Sequence, residues 1–175
     1  ASTDCVRAQC QNPTDWSEVY RGLAQAGLQY GPLFRTASMV RVRMNELAQG
    51  RIRSIPGALP GDSNESGLMV HPAAMDGCLQ LAAAVHTQAV GDKASSSGDP
   101  PPTYVPAGFG AYSVLRKSDA EHMTGLAESV ASESAASVVT NHVLARPGGV
   151  PVAVLHRLEA RQMGTRAAGV SATGR

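Results

Sequence analysis

One segment constrains the fold more than any other: Val70-His71-Pro72-Ala73-Ala74-Met75-Asp76-Gly77-Cys78-Leu79-Gln80, which opens a single long apolar helix and carries one carboxylate near its start. Pro72 suits a first helical turn, where its missing N–H is no loss, and Ala, Met and Leu carry the helix onward. Asp76 and Gln80 stand one turn apart and share a face. Met75, Leu79, Ala82, Ala83 and Val85 leave little continuous polar surface, so the helix is expected to be buried inside the domain and to end near residue 89. Two opposing effects act on Asp76. The helix N-terminus favours the carboxylate, whereas an apolar surrounding favours the neutral acid. If desolvation wins, Asp76 is a general acid near neutral pH; if not, it is a helix-start aspartate bonded to backbone N–H groups.

The elements around this helix are short. Asp15 followed by Glu18 has the form of a capping box, and Trp16, Val19, Tyr20 and Leu23 fall at helical spacing until Gly27 supplies a stop. Gly31 and Pro32 then bend the chain between Tyr30 and Phe34, a rigid base for an aromatic hydroxyl. Residues 35–44 alternate, with Val40, Val42 and Met44 on one face and Arg41 and Arg43 on the other, and 46–55 continue in that style as the second strand of a hairpin. Residues 56–67 form a loop rich in Gly, Pro, Asp, Ser and Asn, and 91–102 an exposed low-complexity excursion. Further strands are expected at 104–106, 109–115, 125–132, 138–144 and 152–158. Pro106 belongs at an edge or bulge, and Arg146-Pro147-Gly148-Gly149 turns the last hairpin. Residues 1–13 are expected to be a linker and 162–175 a disordered one, leaving one folded unit over 14–161.

One helix among antiparallel strands is buried most simply by a sheet wrapped around it, an α+β hot-dog architecture. An ordinary α+β sandwich, with the helix on one face only, is the alternative. The chain of 175 residues can bury a real core, and its net charge of +1 leaves no electrostatic footprint for nucleic acid. No apolar run approaches a membrane span of roughly 20 residues, and the first residues lack a secretory signature. The three cysteines, Cys5, Cys10 and Cys78, have no metal-ligand spacing and fit a reducing, cytoplasmic setting. A first residue other than Met fits a piece of something longer.

Leu28-Gln29-Tyr30-Gly31-Pro32-Leu33-Phe34, the His-Pro-x-x-x-Asp-x-x-x-Gln run of His71 to Gln80, and Tyr104-Val105-Pro106, in this order with strands between, closely resemble the second half of polyketide synthase dehydratase domains. The resemblance spans 15–161. It implies a double hot dog whose other half supplies a catalytic histidine and whose second half supplies an aspartate, here Asp76. Gln80 matches the residue bonded to that aspartate. Tyr30, Gly31, Pro32 and Phe34, with Pro72, Gly77, Val105 and Pro106, match the lining of a substrate tunnel, and Gly77 is expected to leave room beside the carboxyl group. The implied reaction removes water from a β-hydroxyacyl thioester carried on the phosphopantetheine of an acyl carrier protein, with no metal or redox cofactor. The implied partners are that carrier protein, a histidine-bearing N-terminal hot dog and other synthase domains, with a homodimer as one assembly open to it. None of the five histidines has the family's His-x-x-x-Gly-x-x-x-x-Pro setting. His71 is a helix-start residue, His86 a core histidine, and His122, His142 and His156 have no acid paired with them in sequence. A non-catalytic acyl-binding or scaffolding hot dog, and a product-template or cyclase type, are the alternative readings.

Overall fold

The computed structural model describes residues 8–10, 12–25, 27–43, 46–54, 69–94, 104–117, 120–131 and 137–162, with side chains of the long helix described as far as Val85. In chain order the elements are β1 (Asn12–Pro13), α1 (Trp16–Gln25), a 3-10 turn (Pro32–Phe34), β2 (Ala37–Arg43), β3 (Leu47–Arg53) and α2 (Pro72–Ala94). They continue as β4 (Tyr104–Gly108), β5 (Ala111–Val114), β6 (His122–Val130), β7 (Ser137–Ala145) and β8 (Pro151–Gln162). The strands form one antiparallel sheet in the order β1-β2-β3-β6-β7-β8-β4, with β5 also on β8, and α2 packs into it. This is the hot-dog arrangement.

Alternation sets the inner face. Val40 and Val42 of β2, Ala48 and Ile52 of β3, Met123 and Ala127 of β6, Leu144 of β7 and Val152 and Leu155 of β8 are buried, while Arg41, Arg43, Arg51 and Arg53 point outward. The hairpins 2–3 and 7–8 pair as the sequence pattern implies, and Arg146 N donates to Val150 O (2.9 Å) across the last turn. Pro106 lies on the edge strand β4, where a register shift between Pro106 and Gly108 accommodates its missing donor. Asn12 and Pro13, expected to be linker, pair with Val42 and Arg41 and extend the sheet. The long helix runs to Ala94 rather than stopping near residue 89. Expectations for 1–7, 55–68, 95–103 and 163–175, for the side chains of Met44 and His86, and for Cys5 lie outside the described residues.

The helix nests deeply because its inner face is made of small residues. Ala73, Ala74, Cys78, Leu81, Ala84 and Val85 are all fully buried. Gly50 and Gly125 are direct cross-strand partners, and a Cβ on either would stand 2.9 Å from a Leu81 methyl, so the two glycines make the recess that Leu81 fills. Leu79, Ala82 and Ala83 are only half-buried, so one flank of α2 remains partly open, contrary to a helix closed on every side. Asp76 stands on that flank, three residues before Leu79 and seven before Ala83.

His142 joins the sheet to the helix. It is wholly buried, with Nδ1 3.1 Å from Cys78 O and Nε2 2.8 Å from Thr140 Oγ1. A carbonyl only accepts, so Nδ1 carries the proton and Nε2 accepts from the threonine hydroxyl. Burial pushes its pKa down from 6.5 to about 4, against the opposing pull of the Cys78 carbonyl. The folded state therefore binds fewer protons than the unfolded one between those values, and stability falls as pH drops from 6.5 toward 4. At 1.36 kcal/mol per unit the loss is about 3 kcal/mol. Chemical denaturation at pH 7 and pH 4.5 should show it, and His142→Gln should flatten the difference; an equal slope in the variant would contradict the assignment.

Candidate functional site

The site begins with α1. Asp15 Oδ1 accepts from Ser17 N (2.9 Å) and Ser17 Oγ (2.6 Å) and so caps the helix, while the Glu18 side chain faces Arg21 at 3.8 Å. Gly27 ends the segment with φ +91°, and Leu28 N donates to Leu23 O at 2.8 Å. This helix buries Trp16 and Val19 and carries Tyr20 toward α2, with Trp16 and Tyr20 edge to face at 5.7 Å.

The bend that follows is a single turn of 3-10 helix. Gly31 precedes Pro32, Phe34 N donates to Gly31 O (3.0 Å), and Arg35 Nε donates to Tyr30 O (2.9 Å), which latches the turn. Its effect is to aim the Phe34 carbonyl at α2. Beyond it, the Thr36 hydroxyl donates to Ala73 O (3.1 Å) and ties the start of β2 to the first turn of α2.

At the start of α2, His71 Nδ1 accepts from Ala73 N (3.1 Å) and its carbonyl from Ala74 N (3.0 Å), so His71 caps the helix and its Nδ1 is unprotonated. One turn in, Gln80 Nε2 donates to Asp76 Oδ2 at 2.6 Å and to Phe34 O at 3.0 Å, and Tyr20 OH donates to Gln80 Oε1 at 2.8 Å. Both Nε2 hydrogens and one lone pair of Oε1 are thereby used. Burial raises the Asp76 pKa above the ordinary carboxylate value, and the Gln80 bond offsets part of the rise. Of the two environments the sequence leaves open, the apolar one prevails.

Tyr30 is half-buried with its ring 6.0 Å from that of Tyr20. Desolvation, then the charges of Asp76 and Tyr20, push its hydroxyl up to about 12, so it is a neutral hydrogen-bonding group at any physiological pH. Arg35 stacks over Tyr20 at 5.5 Å. Phe34 is 39 % exposed, and Gly31, Pro32 and Pro72 are exposed around the same corner.

Three expected tunnel positions differ from the expectation. Gly77 does not leave room for a substrate: a Cβ there would run into Thr36 Oγ1 and lie 3.6 Å from Ala37 N, so its missing side chain is filled by β2. Val105 and Pro106 lie on β4, paired with Arg161 and Ala160 at the far edge of the sheet order, outside the hydrogen-bonded group around Asp76. Spacing alone makes Tyr20 one residue of an amphipathic face. The available signal was its place ten residues ahead of Tyr30, which puts two phenols on adjoining segments of one bend.

Solved dehydratase domains share this fold. The dehydratase domain from the CurJ module of curacin polyketide synthase is 21 % identical with TM-score 0.75, and the match covers 91 % of this chain and 52 % of that one. The dehydratase domain of PpsC from Mycobacterium tuberculosis is 25 % identical with TM-score 0.67, covering 87 % and 52 %. The reducing polyketide synthase BOA9 of Botryotinia fuckeliana (strain B05.10) is 29 % identical over 120 residues, which are 68 % of this chain and 5 % of that protein. The chain thus spans about half the length of the solved domains and a small part of the synthase.

The family described as polyketide synthase dehydratase N-terminal domain matches residues 1–169. That corrects the expected assignment to the second, aspartate-bearing half. A short motif at a helix start fixes local geometry and does not by itself fix position along a larger domain. With nearly all of its length matched, the chain belongs to the polyketide synthase dehydratase N-terminal domain family.

Proposed function

We propose that this chain contributes the acid to a dehydratase that removes water from a β-hydroxyacyl thioester during polyketide assembly, with Asp76 as the proton donor. The observation that carries the reading is the Asp76 carboxyl itself: desolvated enough to favour its protonated form, yet on the open flank of α2. A carboxyl whose pKa is raised by burial holds its proton to higher pH than a free aspartic acid and can give it to a departing hydroxyl, a contribution typically worth about 100- to 10,000-fold in rate.

The chemistry needs two groups on opposite sides of one Cα–Cβ bond. A base removes the α-proton, whose electron pair forms the Cα=Cβ bond. The Cβ–O bond breaks, and the leaving oxygen takes the Asp76 proton and departs as water. Asp76 is left as a carboxylate, stabilised by the Gln80 N–H, and exchange with solvent restores both groups. None of the described imidazoles is bonded to Asp76: His71 caps α2, His142 is neutral in the core, His122 faces Glu121 at 3.5 Å and His156 is on the surface. In this reading the base is a histidine supplied from outside this chain.

Related dehydratases support such a pair. A histidine-to-phenylalanine and an aspartate-to-asparagine variant of the CurK dehydratase are both described as inactive, and the PpsC domain was solved with C12:1-CoA. An acyl thioester is the substrate class we assign here, presented by an acyl carrier protein within a larger synthase, with Tyr30, Phe34 and Pro32 lining its approach. The test is elimination of water from a β-hydroxyacyl thioester by the full-length polypeptide that carries this chain. Formation of the enoyl product supports the reading; acyl binding without conversion makes the chain a scaffold.

A further inference from the structure

We infer that Tyr20 is a positioning residue for Asp76: acting through Gln80, it fixes which carboxyl oxygen carries the proton. The inference rests on the reading of Asp76 as the acid, but its geometry stands apart from that reading.

The polarity of the Gln80 amide is settled from two sides. Phe34 O only accepts, so the amide edge 3.0 Å away must be the Nε2 side. That leaves Oε1 for Tyr20, whose hydroxyl must donate across 2.8 Å because an amide oxygen has no hydrogen to give. The second Nε2 hydrogen then points at Asp76 Oδ2, 2.6 Å away. Gln80 can therefore offer Asp76 a donor and nothing else. In the neutral acid, a proton on Oδ2 would oppose that N–H, so the proton resides on Oδ1. The oxygen free of Gln80 is the one that delivers it.

Tyr20 adds two things to this arrangement. Its hydroxyl holds the third corner of the amide, and donation to Oε1 polarises the amide so that its N–H becomes a stronger donor. The groups facing Asp76 from the surrounding elements are Tyr20 from α1, Tyr30 from the bend and Gln80 from α2, with Arg35 held over the Tyr20 ring at 5.5 Å. The hydrogen-bonded line from Tyr20 to Asp76 runs through Gln80.

The experiment is a carboxyl-carbon NMR titration of the full chain labelled at aspartate, with the Asp76 signal identified by its loss in Asp76→Asn. Tyr20→Phe keeps the ring and its packing against Trp16 and removes only the hydroxyl. The Asp76 midpoint is expected to rise in Tyr20→Phe and to rise in Gln80→Leu, and the double variant should rise no further than Gln80→Leu alone, since the two act in series. In the full-length polypeptide, Tyr20→Phe should lower kcat about fivefold with KM unchanged, the equivalent of one neutral hydrogen bond. An unchanged midpoint in Tyr20→Phe, or additive shifts in the double variant, would overturn the inference. If the wild-type polypeptide eliminates no water, the dehydratase reading fails while the titration still decides the role of Tyr20.

Discussion

Gly77→Ala is expected to destabilise the chain by about 2–3 kcal/mol, although alanine is the better helix former. Two effects compete. Helix propensity favours alanine by about 1 kcal/mol. Against it, the new methyl would overlap Thr36 Oγ1, and Thr36 is only 2 % exposed, with its hydroxyl committed to Ala73 O at 3.1 Å. Turning the threonine away gives up that buried hydrogen bond at about 1–3 kcal/mol, and shifting α2 instead disturbs the recess around Leu81. The steric side wins, and the melting temperature should fall by on the order of 5–10 °C. Thr36→Ala removes the colliding oxygen, so the double variant should recover part of the loss. A melting temperature at or above wild type in Gly77→Ala would mean that the contact yields easily.

Asp76→Asn should act in the opposite direction and make the chain more stable at neutral pH. The folded-state pKa of Asp76 is raised, so the folded protein binds more protons than the unfolded one across the interval above the ordinary carboxylate value. Stability therefore declines as pH rises through that interval, as a half-desolvated group takes on its charge. Asparagine is neutral, nearly isosteric, and can still present an oxygen to Gln80 Nε2. The gain should be about 0.5–2 kcal/mol, the usual scale for relieving a functional group held in an unfavourable setting. It should vanish at a pH low enough to protonate Asp76 in both states. Paired thermal melts at pH 7 and pH 3 read this directly; an equal or lower melting temperature for the variant at pH 7 would mean that the carboxylate is well solvated or well paired.

Much of the architecture is legible in the sequence because it follows from period. Val40 and Val42 against Arg41 and Arg43 give the face of β2, Pro72 gives the start of α2, and Arg146 to Gly149 gives the last turn. The spacing of Asp76 and Gln80 likewise determines that they meet, because one helical turn is a local matter. What escapes is contact between distant segments. Tyr20 and Gln80 are 60 residues apart, and no pattern within α1 says that one hydroxyl of its apolar face carries a hydrogen bond. Gly77 looks the same in sequence whether its space is taken by substrate or by Thr36. His142 reads as an ordinary strand residue until the Cys78 carbonyl is seen above it. The extra residues at Met39 and Arg157, with φ of 50° and 53°, also carry no glycine signal for the bulges they occupy.

The place of the chain within the domain escapes for a related reason. The His-Pro-x-x-x-Asp-x-x-x-Gln run describes a capped helix start with an acid one turn from an amide, and that is a local structure. Family membership, which weighs residues 1–169 together, assigns the chain to the N-terminal domain. The carboxylate centre is present irrespective of that order, and its chemistry is what the proposal rests on.

The most direct measurement is the rate of water elimination from a β-hydroxyacyl thioester by the full-length polypeptide, wild type against Asp76→Asn. The enoyl product should form with wild type, and Asp76→Asn should lower the rate by at least about 100-fold while acyl binding persists. Elimination at an undiminished rate in Asp76→Asn would contradict this, since the proton would then come from another group.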